Sequence, residues 1–162
     1  MSLPRRRAVC FSSVCLLFLF FPRYVVAREG ADPATSEATR TRIQEIVNDF
    51  MARLTLSEKV AISVVPKNPL MLSVEFDDTD TGFLLSLEED FVNELTDDEL
   101  RAAIAHELGH VWIFTHHPYL QTEFLANQIA QRLVPRDNLV QVYEKVWGRL
   151  GTKGDLARFV GN

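Results

Sequence analysis

Residues 106–110, His106-Glu107-Leu108-Gly109-His110, combine two imidazoles and a carboxylate at a spacing that suits metal chemistry. In an α-helix of about 3.6 residues per turn, His106 and His110 project from one face, so both rings can bind a single Zn²⁺ ion. Glu107 then stands on the adjacent arc. The metal lowers the pKa of its bound water towards ~7, and Glu107 can accept the proton of that water. The pattern predicts one zinc ion per chain, with Glu107 as the catalytic base.

A metal site in this chain has to be built without thiolates. Both cysteines, Cys10 and Cys15, fall within the first 27 residues, and all four histidines lie between His106 and His117. The ligands available in residues 28–162 are therefore histidines and carboxylates. The helix around His106 is otherwise apolar, where unpaired polar groups are costly, which favours metal binding over two packed histidines.

A catalytic zinc site has three protein ligands and an open position, so a third ligand is needed. His116 follows His110 at the spacing of metzincin peptidases, but that spacing needs a glycine where this sequence has Ile113, and a β-branched residue resists positive φ. Glu123 is the alternative. An antiparallel helix pair that turns at Pro118 places Glu123 opposite His110. We expect Glu123, rather than His116, to be the third ligand.

Two supporting functions have several candidates. Asn127 lies one helical turn after Glu123, and its amide oxygen either accepts the outer N–H of a ligand histidine or belongs to an ordinary surface residue. A tetrahedral oxyanion needs a donor besides the metal. The candidates for that donor are His116, His117, Tyr119, Tyr143 and Arg149. The alternative for each is an ordinary surface or amphipathic-helix residue.

Hydrophobic periodicity predicts the elements that position these residues. Apolar residues on one helical face predict a helix that reaches Leu54, with a cap at Thr35 or Ser36. Alternating apolar residues predict three short strands at 60–64, 70–76 and 83–87. The third strand, which comes shortly before the metal-binding helix, either offers an edge for an extended peptide or lies in the core.

The second half of the chain is predicted to be helical. Thr96-Asp97-Asp98-Glu99 is a capping box that starts the metal-binding helix, which should run to about Thr115. Pro118 suits the first turn of the next helix and Pro135 its end, and a last amphipathic helix covers 139–150. The predicted class is α+β, with a small three-stranded sheet packed on helices.

Composition indicates one compact domain. The chain has 162 residues, of which 47% are hydrophobic and 24% charged, so it is too charged for a polytopic membrane protein and too apolar for a disordered chain. Residues 28–162 hold 13 basic and 22 acidic side chains, and this acidity excludes nucleic acid as an expected partner.

The amino terminus has the pattern of a signal peptide. Arginines at 5–7 precede an apolar run from Ala8 to Phe21, and Val25-Val26-Ala27 suits signal peptidase. The apolar run of about 14 residues is shorter than the ~20 that span a bilayer, which disfavours an uncleaved anchor. We therefore predict a signal peptide at 1–27, a flexible lead-in at 28–36, a single domain at 37–162, export to the periplasm or the exterior, and no stable membrane insertion after cleavage.

Two segments resemble a known group of peptidases. Residues 95–111, which include His106-Glu107-Leu108-Gly109-His110, resemble the active-site helix of gluzincin peptidases of the HtpX and CAAX-prenyl-protease type. The run Glu123-Phe124-Leu125-Ala126-Asn127, followed by Ala130, Leu133 and Pro135, is similar to their second-helix signature and to that of ImmA/IrrE-type peptidases.

The resemblance implies a minimal gluzincin with a zincin-like fold, an active-site helix and a glutamate helix. It implies that His106, His110 and Glu123 bind Zn²⁺ and that Glu107 is the general base. The implied function is an exported zinc endopeptidase acting on peptide or protein substrates. The alternative is a non-catalytic zinc-binding module for interaction or assembly, and the intact Glu107 favours the enzyme.

Overall fold

The computed structural model of the chain describes residues 33–77 and 82–161. The predicted signal peptide at 1–27 and most of the predicted lead-in lie outside these ranges and stay predictions. Within the described ranges, no helix combines the length and the apolar character that crossing a membrane requires.

The described residues form an α+β fold, which confirms the predicted class. The long helices Pro33–Leu54 and Asp97–His116 pack on a three-stranded sheet, and the two predicted active-site segments fall on neighbouring helices. In chain order, the elements are α1 (Pro33–Leu54), β1 (Val60–Val65), β2 (Leu72–Asp77), β3 (Gly82–Glu88), α2 (Glu89–Glu94), α3 (Asp97–His116), α4 (Glu123–Ala130), α5 (Arg136–Leu150) and α6 (Leu156–Val160).

The sheet has the order β1-β3-β2, so β3 is its central strand. β1 runs parallel to β3, with Val60 opposite Phe83, and β2 runs antiparallel to β3, with Phe76 also opposite Phe83. The Leu85 and Leu87 side chains of β3 are fully buried. Of the two interpretations of residues 83–87, the peptide-binding edge is therefore wrong and the core strand is confirmed, because both sides of β3 are already paired.

The capping box predicted at the start of α3 is confirmed. The Thr96 hydroxyl accepts from the Glu99 backbone N–H at 3.3 Å, and the Glu99 carboxylate accepts from the Thr96 N–H at 2.7 Å. These bonds satisfy two donors that the first turn of a helix leaves without intrahelical partners. α3 then runs to His116, one residue beyond the predicted end.

Most of α3 is buried, which fixes its position against the other layers. Leu100, Ile104, Leu108 and Val111 are fully buried and belong to one core cluster with residues of the sheet and of α1. Such a helix cannot rotate or slide without exposing apolar surface on several sides. Packing in the core therefore fixes both the rotation of α3 about its axis and its position along that axis.

Three predicted helix boundaries are wrong. α1 begins at Pro33, before the predicted cap. Residues 117–122 are not helical, and α4 begins at Glu123 rather than at Pro118, because the Thr122 hydroxyl caps it by accepting from the Leu125 N–H at 3.1 Å. α4 also ends well before Pro135, which instead occupies the N-cap position of α5.

α3 and α4 approach each other unusually closely at Gly109. A Cβ atom placed on Gly109 would lie 2.5 Å from the Ala126 carbonyl oxygen, a distance that real Cβ atoms essentially never show. The missing side chain therefore lets the α4 backbone pack directly on α3. Since the obstacle is backbone rather than a flexible side chain, it cannot move aside without shifting α4.

Gly109→Ala should therefore lower the free energy of unfolding by roughly 1–3 kcal/mol, the usual cost of overpacking. Gly148→Ala is the matched control, because a Cβ at Gly148, inside α5, would meet nothing within 4 Å. It should raise stability by up to about 1 kcal/mol, the helix preference for alanine over glycine. Urea unfolding of the metal-free variants measures both, and equal effects of the two changes would contradict the close approach.

Candidate metal centre

His106, His110 and Glu123 come together across the antiparallel α3 and α4 helices. The Nε2 atoms of the two histidines lie 3.3 Å apart. The Glu123 carboxylate reaches both rings, with Oε2 at 3.3 Å from His106 Nε2 and Oε1 at 3.6 Å from His110 Nε2. Among the described residues, these three form the group of side chains placed to share a metal ion. The structure thus brings Glu123, and not His116, beside the two histidines.

The separations of these atoms fit a tetrahedral zinc site. Zn–N distances of ~2.0–2.1 Å and similar Zn–O distances place neighbouring tetrahedral ligands about 3.3–3.4 Å apart. The 3.3 Å between the two Nε2 atoms and the 3.3 Å from His106 Nε2 to Glu123 Oε2 agree with that value, and His110 Nε2 lies 3.6 Å from the other carboxylate oxygen of Glu123, Oε1. Three protein ligands leave a fourth position for water or substrate, which is the arrangement of catalytic rather than structural zinc sites.

Both histidine rings are held on their outer side by amide side chains. His106 Nδ1–H donates to Asn127 Oδ1 at 2.9 Å, and His110 Nδ1–H donates to Gln121 Oε1 at 3.2 Å. Gln121 Nε2 also donates to the His110 backbone carbonyl at 3.2 Å. An amide oxygen can only accept, so each Nδ1 carries a proton and Nε2 is the nitrogen of each ring that faces the candidate metal position. The proposed supporting position of Asn127 thus coincides with the observed geometry.

Tyr143, on α5, contacts residues of both α3 and α4 at the candidate metal centre. Its hydroxyl donates to Glu123 Oε2 at 3.3 Å and accepts from Asn127 Nδ2 at 2.8 Å. Its ring packs edge-on against His106, with centroids 5.9 Å apart. Tyr143 therefore contacts a candidate ligand from α3, a candidate ligand from α4 and the amide that orients the first of them.

The charges of the site perturb its pKa values strongly. Burial alone lowers the pKa of His106, but the hydrogen bond to Glu123 and the charges of Glu107 and Glu123 raise it to about 9. Burial would raise the pKa of Glu123, but its hydrogen bonds to His106 and His110 hold it well below its usual range. Burial and the Glu123 charge raise the pKa of the Tyr143 hydroxyl above its ordinary value. Without a metal, the site therefore contains an imidazolium paired with a carboxylate.

Glu107, the predicted base, lies between the two histidines in sequence and is nearly buried, with 8% of its surface exposed. Its charge is close enough to raise the pKa of His106. The helix thus places a largely buried carboxylate whose charge acts on the His106 ring.

Of the five candidates for an oxyanion donor, Tyr143 is the one that contacts the metal group in the described structure. The His116 ring stacks on Trp112, the His117 ring lies against the same indole with centroids 5.8 Å apart, and the Arg149 guanidinium pairs with Glu94 and Glu88. Tyr119 is 95% exposed. For the candidates other than Tyr143, the alternative interpretation as surface or amphipathic-helix residues therefore fits the structure.

Gln121 is the site residue that the sequence did not suggest. It lies in the non-helical connection before α4, and its contact with His110 depends on the fold of that connection. A glutamine in a loop carries no recognisable pattern, so no sequence signal pointed to it.

No protein-family model and no curated protein matches the chain. Among solved structures, it is similar to the crystal structure of the metallopeptidase zymogen of Pyrococcus abyssi abylysin, with a TM-score of 0.51 and 14% identity over 70% of this chain and 99% of that chain. The metallopeptidase zymogen of Methanocaldococcus jannaschii jannalysin has a TM-score of 0.49 and 20% identity, over 67% of this chain and 96% of that chain. The abylysin match shows that the chain shares the fold of that structure.

The raised pKa of His106 makes the metal-free protein less stable at alkaline pH. Because the pKa is about 9 in the folded chain against 6.5 for a free histidine, the protonated form stabilises the fold fully below pH 6.5. This contribution, on the order of 1–3 kcal/mol, is lost as the pH rises towards 9. Urea unfolding of chelator-treated protein at several pH values measures it. His106→Gln is the control. If the free energy of unfolding of that variant fell with rising pH as steeply as that of the wild type, His106 would not be the group responsible.

Proposed function

We propose that the protein is an exported zinc-dependent endopeptidase of the gluzincin type, related to the HtpX, CAAX-prenyl-protease and ImmA/IrrE-type peptidases. The observation that carries the proposal is the convergence of His106, His110 and Glu123 within reach of one metal ion, with the charge of Glu107 acting on the His106 ring. The shared fold with a metallopeptidase zymogen supports it.

The donor set suits zinc, because two neutral imidazoles and one carboxylate are ligands that zinc accepts. His106, His110 and Glu123 would hold the zinc ion, which would supply Lewis acidity towards a scissile carbonyl and towards water. Glu107 then acts as the general base, accepting the proton of the attacking water, and afterwards as the general acid, passing that proton to the leaving amine. Asn127 and Gln121 keep the two imidazoles in the tautomer that leaves Nε2 free.

We propose the outer edge of β2 as the place where an extended substrate binds. In the described residues β2 pairs with β3 on one side only. The strand also lies against the active-site helix, because Phe76 of β2 stacks on Phe114 of α3 with ring centroids 5.5 Å apart. An extended peptide added beside β2 would gain backbone hydrogen bonds along the edge nearest to α3.

The proposal predicts that the purified protein holds one zinc ion per chain and cleaves an unfolded protein such as casein. Glu107→Ala should keep the zinc and lose cleavage by at least about 100-fold, since general-base catalysis contributes ~10²–10⁴-fold. Glu123→Ala should lose zinc as well as activity. Mass spectrometry of the metal content and a fluorescent casein assay on the same samples provide the measurements.

Glu144→Gln is the matched control, because Glu144 is an exposed carboxylate on α5, next in sequence to the site residue Tyr143. It should change neither zinc content nor cleavage. Stoichiometric zinc without cleavage of any unfolded substrate would favour the non-catalytic zinc-binding module. Absence of zinc from the wild type at micromolar free zinc would refute the metal centre.

Export rests on the pattern of residues 1–27 and has its own test. Expression of the full chain in a secreting host should yield a product that begins at Arg28 and has lost 27 residues. Intact-mass spectrometry of the released protein checks this, and a product that keeps Met1 in the membrane fraction would instead show an uncleaved anchor.

A further inference from the structure

The last residues of the described chain are held by three side chains. Phe159 O accepts from Asn127 Nδ2 at 2.9 Å, Val160 O accepts from Gln131 Nε2 at 3.0 Å, and Gly161 O accepts from the Arg136 guanidinium. We refer to residues 155–161 as the carboxyl-terminal segment. Its last three described carbonyl groups thus accept, in turn, from Asn127 of α4, from Gln131 directly after α4, and from Arg136, the first residue of α5.

The carboxyl-terminal segment is also packed into the fold. Val160 is 2% exposed, and the Phe159 ring contacts Tyr143 and Trp147 with centroids 5.5 and 5.8 Å apart. The Asp155 carboxylate caps α6 by accepting from the Ala157 N–H at 3.0 Å. The segment is therefore a docked element whose backbone carbonyls have fixed directions.

One of these carbonyls determines the orientation of the Asn127 amide. Asn127 is fully buried, and its two N–H groups donate to Phe159 O and to Tyr143 OH. A backbone carbonyl can only accept, so the amide nitrogen must face Phe159. The amide oxygen then has to face His106, where it accepts the Nδ1–H at 2.9 Å.

We infer that the carboxyl-terminal segment is a positioning element of the metal site. The Phe159 carbonyl fixes the Asn127 amide, and the amide fixes the ring and the tautomer of His106, which leaves Nε2 directed at the metal. The inference rests on the proposed zinc site and assigns to the segment a function in metal affinity. Phe159, Asn127 and His106 belong to three separate elements, so the site is complete only when residues 155–161 are docked.

The sharpest test loosens the segment without touching Asn127, Tyr143 or Phe159. The double variant Gln131→Ala/Arg136→Ala removes the side chains that hold Val160 O and Gly161 O. Loss of an outer-sphere partner typically weakens metal binding 10–100-fold, and we expect the zinc Kd of this variant to rise by about that factor. Competition with a chromophoric chelator measures the Kd, and amide hydrogen exchange at residues 159–161 reports whether the segment has loosened.

A double-mutant cycle shows whether the effect passes through Asn127. In an Asn127→Ala background, the same two substitutions should change the zinc Kd by less than about twofold, because the link to His106 is already missing. The control for general destabilisation is Thr96→Ala, which weakens the cap of α3 and should leave the Kd unchanged.

Three outcomes would overturn the inference. They are an unchanged Kd in a variant whose segment is shown by exchange to be loosened, an equal loss of affinity in the Asn127→Ala background, and an equal loss in Thr96→Ala. If the wild type bound no zinc, the proposed function would fail separately. The coupling would still be decided in the metal-free protein by NMR, because loosening the segment must speed solvent exchange of the His106 Nδ1–H, and an unchanged rate would refute it.

Discussion

The closeness of α3 and α4 at Gly109 is the constraint on which the candidate site depends. Because no side chain stands between Gly109 and the Ala126 backbone, the two helices pack at a distance that short polar side chains can bridge. Glu123 and Asn127 flank Ala126 on α4, as His110 and His106 flank Gly109 on α3. A wider spacing would leave these side chains out of reach of each other, even with the same residues at the same positions.

Burial then determines how the polar groups must be arranged. Asn127 is fully buried and Glu107 nearly so, in helices that are otherwise apolar, where an unsatisfied donor or acceptor is costly. Asn127 meets this requirement with bonds to His106, Tyr143 and Phe159. Every partner in this network restricts the others, so the imidazole of His106 has one orientation that satisfies the whole set.

The sequence predicted those parts of the site whose geometry is local or nearly so. His106 and His110 lie one turn apart in any helix, the Thr96 capping box is complete within four residues, and an antiparallel return of the chain is enough to bring Glu123 near His110. The alternating apolar residues located all three strands. Each of these features follows from periodicity along one element or from a single reversal of direction.

The features that were missed depend on contacts between distant parts of the chain. Pro118 is compatible with a helix start, but the cap at Thr122 and the contact of Gln121 with His110 place the start later. The apolar run at 83–87 did not reveal whether β3 was an edge or a central strand, because that depends on β1 and β2 pairing with its two sides. α6 is too short for periodicity to show, and it is held by the tertiary bonds to Asn127, Gln131 and Arg136.

The same network explains how His106, His110 and Glu123 can be held close together in an apolar fold without a metal. In the absence of metal, the positive charge on His106 offsets the negative charge of Glu123, so neither is buried alone. A zinc ion bound at the proposed site would have to displace the proton of His106, but it would meet both imidazoles and the carboxylate already gathered around one position. Little of the binding free energy would then go into ordering side chains, because the core, the close helix contact and the docked residues 155–161 have already restricted them.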